Sequence, residues 1–112
     1  MASIKSAYDL SGGDARSSVI TGGTYLNLHA FLTTVSGGVS YHVEKRNSDT
    51  GDWVSLKDEK GKAIVFHTNG TTEDGESIYL TGGSIEYSVN IKPGSSTTGT
   101  LTLDADTDGS IA

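Results

Sequence analysis

The sequence predicts an all-β protein: a small β-sandwich of immunoglobulin-like or jelly-roll kind with about eight or nine short antiparallel strands, a closed small barrel being the alternative. Three observations carry that expectation. Gly-Gly pairs punctuate the chain at positions 12–13, 22–23, 37–38 and 82–83. The stretches beside them place apolar residues at every second position, which is the period of a strand with one buried face. No stretch carries the pattern of a helix of ordinary length.

Residues 4–8 and 16–21 are weak strand candidates suited to sheet edges, and residues 1–14 read as an N-terminal arm or edge strand. In residues 24–34, Leu26, Leu28, Ala30 and Leu32 share one face, opposed by Tyr25, Asn27, His29, Phe31 and Thr33. Residues 39–46 turn Val39, Tyr41 and Val43 inward and Ser40, His42, Glu44 and Arg46 outward. An Asx- and Gly-rich hairpin loop at 47–52 leads into a strand at 53–57. A tight turn at 58–61 precedes a strand at 62–68, a polar loop at 69–75 and a short strand at 76–81. Residues 84–92 alternate most cleanly, with Ile85, Tyr87, Val89 and Ile91 against Glu86, Ser88, Asn90 and Lys92, until Pro93-Gly94 stops them. Residues 100–103 are the last expected strand, and residues 104–112 read as an acidic C-terminal tail. The expected core is Leu26, Leu28, Leu32, Val39, Tyr41, Val43, Trp53, Val65, Tyr79, Ile85, Tyr87, Val89 and Leu103.

A chain of 112 residues makes one domain, here 1–112, with no room for a separate cofactor domain. Eight Lys and Arg against fourteen Asp and Glu give a net charge of -6. Such a surface repels phosphate backbones and anionic lipid, so neither nucleic acid nor membrane is an expected partner. With no Cys there is neither a disulfide framework nor a thiolate metal site. The first ten residues lack the apolar core and cleavage site of a signal peptide, and no apolar run approaches a membrane span, so a soluble chain is expected. A domain this small buries only about two-thirds of its unfolded surface, which favours association with copies of itself or a larger assembly.

Candidate chemistry is sparse. Asp104, Asp106, Asp108, Gly109 and Ile111 match the opening of an EF-hand loop, where alternating oxygen ligands and a sharp-turning Gly suit Ca²⁺. The closing Glu is missing, so a solvated tail, or one docking on a basic partner, is the competing use of the three aspartates. Asn47, Asp49 and Asp52 are read as turn formers. His29, His42 and His67 are spaced 13 and 25 apart, unlike a zinc motif. No Ser sits in a nucleophile elbow, and nothing pairs Glu44, Glu59, Glu73 or Glu76 as a glycosidase acid and nucleophile. No cofactor and no enzymatic activity are expected. Tyr25 and Phe31, with Trp53 at a hairpin end, can form a glycan-stacking platform; for Trp53 the core is the competing place.

The strand–Asx/Gly loop–Trp order of residues 39–56 (VSYHVEKRNSDTGDWVSL), followed by TGGSIEYSVNIKPG and GTLTLDAD, resembles small all-β head decoration (cement) proteins of tailed bacteriophages. The resemblance spans roughly residues 24–104 and is one of pattern. It implies a non-enzymatic virion protein on the capsid surface, assembled in the host cytoplasm. Its partners would be the major capsid protein and copies of itself, most often as a trimer. The other class of function left open is a carbohydrate- or receptor-binding module of a tail fibre or cell surface, using Tyr25, Phe31 or Trp53.

Overall fold

The computed structural model describes residues 2–21, 23–47, 49–58, 60–69, 72–79 and 85–111, and of these every side chain but those of Ala2, Ile4 and Glu76. Glu59, Gly22 and the Gly82-Gly83 pair lie outside the described residues, as does the Glu76 side chain. The strands are β1 (Ala2–Asp9), β2 (Ala15–Arg16), β3 (Ile20–Thr21), β4 (Tyr25–Phe31), β5 (Gly38–Arg46), β6 (Trp53–Ser55), β7 (Val65–Asn69), β8 (Glu73–Tyr79), β9 (Glu86–Pro93), β10 (Thr100–Thr107) and β11 (Ser110–Ile111). One 3-10 turn, Leu10–Gly12, is the sole helical piece among the described residues.

Two sheets form, so the chain is a sandwich and not a closed barrel. The four-stranded sheet runs β1-β10-β4-β8, and the second runs β11-β3-β9-β5-β6, with β2 also on β9 and β7 also on β5. β2 and β3 are consecutive pieces alongside β9, as β7 and β6 are alongside β5. Counting each pair as one interrupted strand, and setting aside the two-residue edge strand β11 beside β3, leaves eight among the described residues, in the orders 1-8-3-6 and 2-7-4-5. That winding is the jelly roll, one of the two sandwich types the sequence left open.

Side-chain hydroxyls stitch the interruption between β2 and β3. The Ser17 amide donates to the Val89 carbonyl at 2.9 Å, and the Val89 amide donates back to Ser17 Oγ at 2.9 Å. Ser88 Oγ donates to the Ser17 carbonyl at 3.1 Å. Both serines are buried, so the bulge leaves its polar groups paired.

The inward faces supply the core: Leu26, Leu28, Ala30, Leu101, Leu103 and Ala105 from one sheet, Val39, Tyr41, Val43, Tyr87, Val89 and Ile91 from the other, with Leu10 and Leu32 beside the strand ends. Nine of the thirteen expected core residues are buried, and four depart from the expectation. Tyr79 is 85% exposed and Ile78 is buried in its place. Val65 pairs with His42 on the outer face, and its neighbour Phe66 stands beside Tyr41 inside. Trp53 is half-buried on the outer side, and Ile85 lies at the core margin. The errors at Val65 and Tyr79 are ones of phase: where two or three apolar residues run together, as in Ile64-Val65-Phe66 and Ile78-Tyr79, period two does not say which points in.

The acidic tail is also corrected. β10 continues through Thr107, and its residues 101–107 pair with β1 on one side and largely with β4 on the other. Leu103, Ala105 and Thr107 face the core, so Asp104 and Asp106 alternate outward from an inner strand of the sheet. The expected polar loop at 69–75 likewise ends early, because β8 begins at Glu73.

Candidate functional site

The outer face of the four-stranded sheet is set by the register of its strands. Across β1, β10, β4 and β8, one row reads Ser3, Asp106, Asn27 and Ser77. The next reads Lys5, Asp104, His29 and Gly75, and the third Ala7, Thr102, Phe31 and Glu73. Beyond the first row, Tyr25 stands opposite Tyr79. On the two middle strands the inward neighbours Leu26, Leu28, Ala30, Leu101, Leu103 and Ala105 are core, so alternation turns the residues of these rows outward.

Gly75, on the edge strand β8, opens one side of this face. A Cβ built on it would come no nearer to another residue than 3.7 Å, from the Leu28 carbonyl oxygen, so the space above it is free. The result is a depression of about 330 Å³ lined by Asn27, His29, Gly75, Ser77, Asp104 and Asp106. A smaller hollow of about 210 Å³ adjoins it between Tyr25, Asn27, Ser77 and Tyr79.

Polar atoms here are arranged for a ligand with hydroxyls. Ser77 Oγ donates to Asn27 Oδ1 at 2.7 Å, which leaves the Asn27 amide nitrogen to donate outward. The carboxylates of Asp104 and Asp106 are acceptors. At the far end the Phe31 and His29 rings are stacked 4.4 Å apart and within 7° of parallel, with Lys5 Nζ 5.5 Å from the Phe31 centroid. Glu73 Oε2 holds His29 Nε2 at 3.5 Å. Tyr25 and Phe31, six residues apart on one strand face, therefore flank a polar trough about 20 Å long.

Of the three glycan-stacking candidates, the structure brings Tyr25 and Phe31 onto this face and takes Trp53 to the outer face of the other sheet. There the Trp53 ring lies between two guanidinium groups, Arg16 at 4.9 Å and Arg46 at 4.7 Å. Arg16 is held by Glu44 at 2.6 Å and Arg46 by Glu86 at 3.3 Å. Tyr79 is the aromatic that the sequence reading missed, having been placed in the core.

The EF-hand resemblance does not survive folding. Asp104 and Asp106 sit on a strand, and Asp108 is occupied by the β3–β4 connection: it accepts from Thr24 Oγ1 at 2.6 Å, from the Thr24 amide at 2.8 Å and from the Tyr25 amide at 3.2 Å. These hydrogen bonds, Thr24's first, lower the Asp108 carboxyl to a pKa of about 2. The three histidines do not converge, since His29 lies on one sheet and His42 and His67 on the other. No metal-holding group of three or more ligands occurs among the described residues. Ser40 Oγ lies 2.7 Å from His67 Nδ1, a pair with no sequence motif to announce it. No carboxylate orients that imidazole among the described residues.

No protein-family model matches the chain, and no curated protein matches it at significant similarity. Among solved structures it is similar to a protein of Bacillus endospore appendages, described as disulfide-linked pili, at 12% identity over 95% of this chain and 85% of that one, with a TM-score of 0.50. It is also similar to the SPBc2 prophage-derived protein YomS, at 12% identity over 94% and 93% of the two chains and a TM-score of 0.48. A carbohydrate-binding module specific for non-crystalline cellulose aligns at 10% identity over 97% and 72%, with a TM-score of 0.49. At these identities the likeness to the appendage protein is one of fold: an all-β sandwich.

Proposed function

We propose that the protein is a non-enzymatic β-sandwich recognition module that binds a glycan on the outer face of its four-stranded sheet. The observation that carries this reading is the trough over Gly75, with carboxylate and amide groups in its floor and Tyr25, Tyr79 and Phe31 at its ends. Sugar rings present an apolar face to an aromatic plane and hydroxyls around the rim, and the trough offers both kinds of partner. A glycan array is the test. Binding that disappears in Tyr25→Ala and Tyr79→Ala, while Trp53→Ala binds as the native chain does, supports the reading; no binding to any glycan, or binding indifferent to both tyrosines, overturns it.

A second reading is head decoration of a phage particle, with the major capsid protein and further copies of the chain as partners and a trimer as the working unit. The Arg16–Trp53–Arg46 stack favours it, because Trp and Arg are the residues most enriched where protein interfaces hold tightest. Anchoring through a free acidic tail no longer supports it, since β10 carries Asp104 and Asp106 within the sheet. Co-sedimentation with phage heads, native against Trp53→Ala, separates the two readings. Decoration requires that the native chain bind heads and that the variant bind them less.

A further inference from the structure

The outer face of the second sheet holds a depression of about 530 Å³, lined by Ser40, His42, His67, Asn69 and Lys92 and by the backbone of Gly94. Its chemistry is the opposite of the trough's. No carboxylate and no Phe, Tyr or Trp lines it, in a chain with fourteen acidic residues against eight basic. Lys92, Ser40 and His67 stand in one row across β9, β5 and β7, and His42 follows on the same face of β5. Neighbours in such a row have Cβ atoms about 5 Å apart, so their polar ends can converge on one small group.

We propose that this depression binds an oxyanion, the phosphate or carboxylate group of a ligand, through Lys92, His67 and His42. The Ser40–His67 contact fits two tautomers of the neutral ring. In the one where the Ser40 hydroxyl donates to Nδ1, the ring proton is on Nε2, and that N–H is the donor offered to the anion.

His42 is held toward its neutral form. Burial first, and then the charge of Lys92, lowers its pKa; His67 acts in the same direction, while Glu44 and Asp14 oppose it. Arg16, nearby, is engaged by Glu44. An anion between Lys92 and His42 reverses the unfavourable part of that field, so it raises the His42 pKa and binds more tightly as the pH falls. This site is independent of the glycan reading, being on the other sheet.

Two probes test it: sulfate, whose charge is constant from about pH 8 to about pH 5.5, and acetate. Amide and imidazole NMR shifts should move at Ser40, His42, His67 and Lys92 and not at Asn27 or Asp104. Affinity should rise between about pH 8 and about pH 5.5, and should fall about tenfold in Lys92→Gln, the worth of one charge-assisted hydrogen bond. His42→Gln, which keeps a side-chain donor without the charge, should bind but lose most of the pH dependence. Preference for sulfate identifies a phosphate ligand, and preference for acetate a carboxylate. The proposal is overturned if neither probe moves these signals, if folded Lys92→Gln binds as the native chain does, or if affinity is the same at both pH values.

Discussion

The Tyr41 hydroxyl, inside the sandwich on β5, donates to the Asp74 carboxylate on β8, so this hydrogen bond links the two sheets at the rim. The Tyr41 ring is packed against Phe66 with centroids 5.1 Å apart, which fixes the direction of the hydroxyl. Asp74 turns an inward charge from an edge strand whose outer edge is open in the sheet order, a device that discourages the strand from pairing with another molecule.

Removing that hydroxyl should be felt through the partner left behind. Tyr41→Phe is expected to cost about 1–3 kcal/mol in urea unfolding, because the Asp74 carboxylate loses its buried donor. Asp74→Ala in the Tyr41→Phe background should cost little more. Fully additive losses would show that the two groups do not interact.

Asp108 makes stability depend on acid. Its carboxyl titrates at about 2 in the folded chain, against about 3.9 for an unperturbed Asp in the unfolded one, because Thr24 and Tyr25 donate to its charged form. The stabilisation is therefore complete above about pH 4 and lost as the pH falls through about 2. Melting curves of the native chain and Asp108→Ala should be well separated at neutral pH and converge as the pH approaches 2. A separation that persists at the acid end contradicts this.

Two glycines should respond in opposite ways. Gly99 has φ +102°, and a Cβ there would lie 2.2 Å from the Thr34 carbonyl oxygen, so Gly99→Ala should destabilise by roughly 2–4 kcal/mol. Gly75 has open space above it, and Gly75→Val should fold as well as the native chain while filling the trough. Calorimetry and glycan binding read the two outcomes; normal glycan binding by Gly75→Val would exclude the trough as the site.

Trp53 should behave as a surface residue. With its ring between Arg16 and Arg46, Trp53→Ala is expected to lose about 1–2 kcal/mol, the scale of two cation–π contacts. Truncating fully buried Leu103 should cost about 3 kcal/mol or more. The order of the two losses in chemical unfolding is the check.

Alternation in residues 24–34, 39–46 and 84–92 was enough to read the strands and most of the core, because polar and apolar residues strictly take turns there. What failed was phase at short apolar runs, and hence the exposure of Tyr79. The extent of β10 failed for a different reason: Asp104 and Asp106 have poor strand character alone, and only Leu103, Ala105 and Thr107 beside them mark the buried face. The trough was half legible, since Tyr25, Asn27, His29 and Phe31 fall on one face by spacing. That Asp104 and Asp106 stand beside them, and that Lys92, Ser40 and His67 share a row, depends on pairings between strands distant in sequence, which local pattern does not contain.

The register Ala2↔Thr107 carries a consequence for how the molecule comes into being. β10 lies between β1 and β4, so these early strands have no common sheet until the segment through Thr107 is available to pair. Native pairing of so distant segments has to close a long loop before any contact repays it, which makes such topologies slow to fold. A nascent chain stopped before β10 holds β1 and β4 with bare edges, the species most exposed to aggregation. Completion of the four-stranded sheet thus waits on β10.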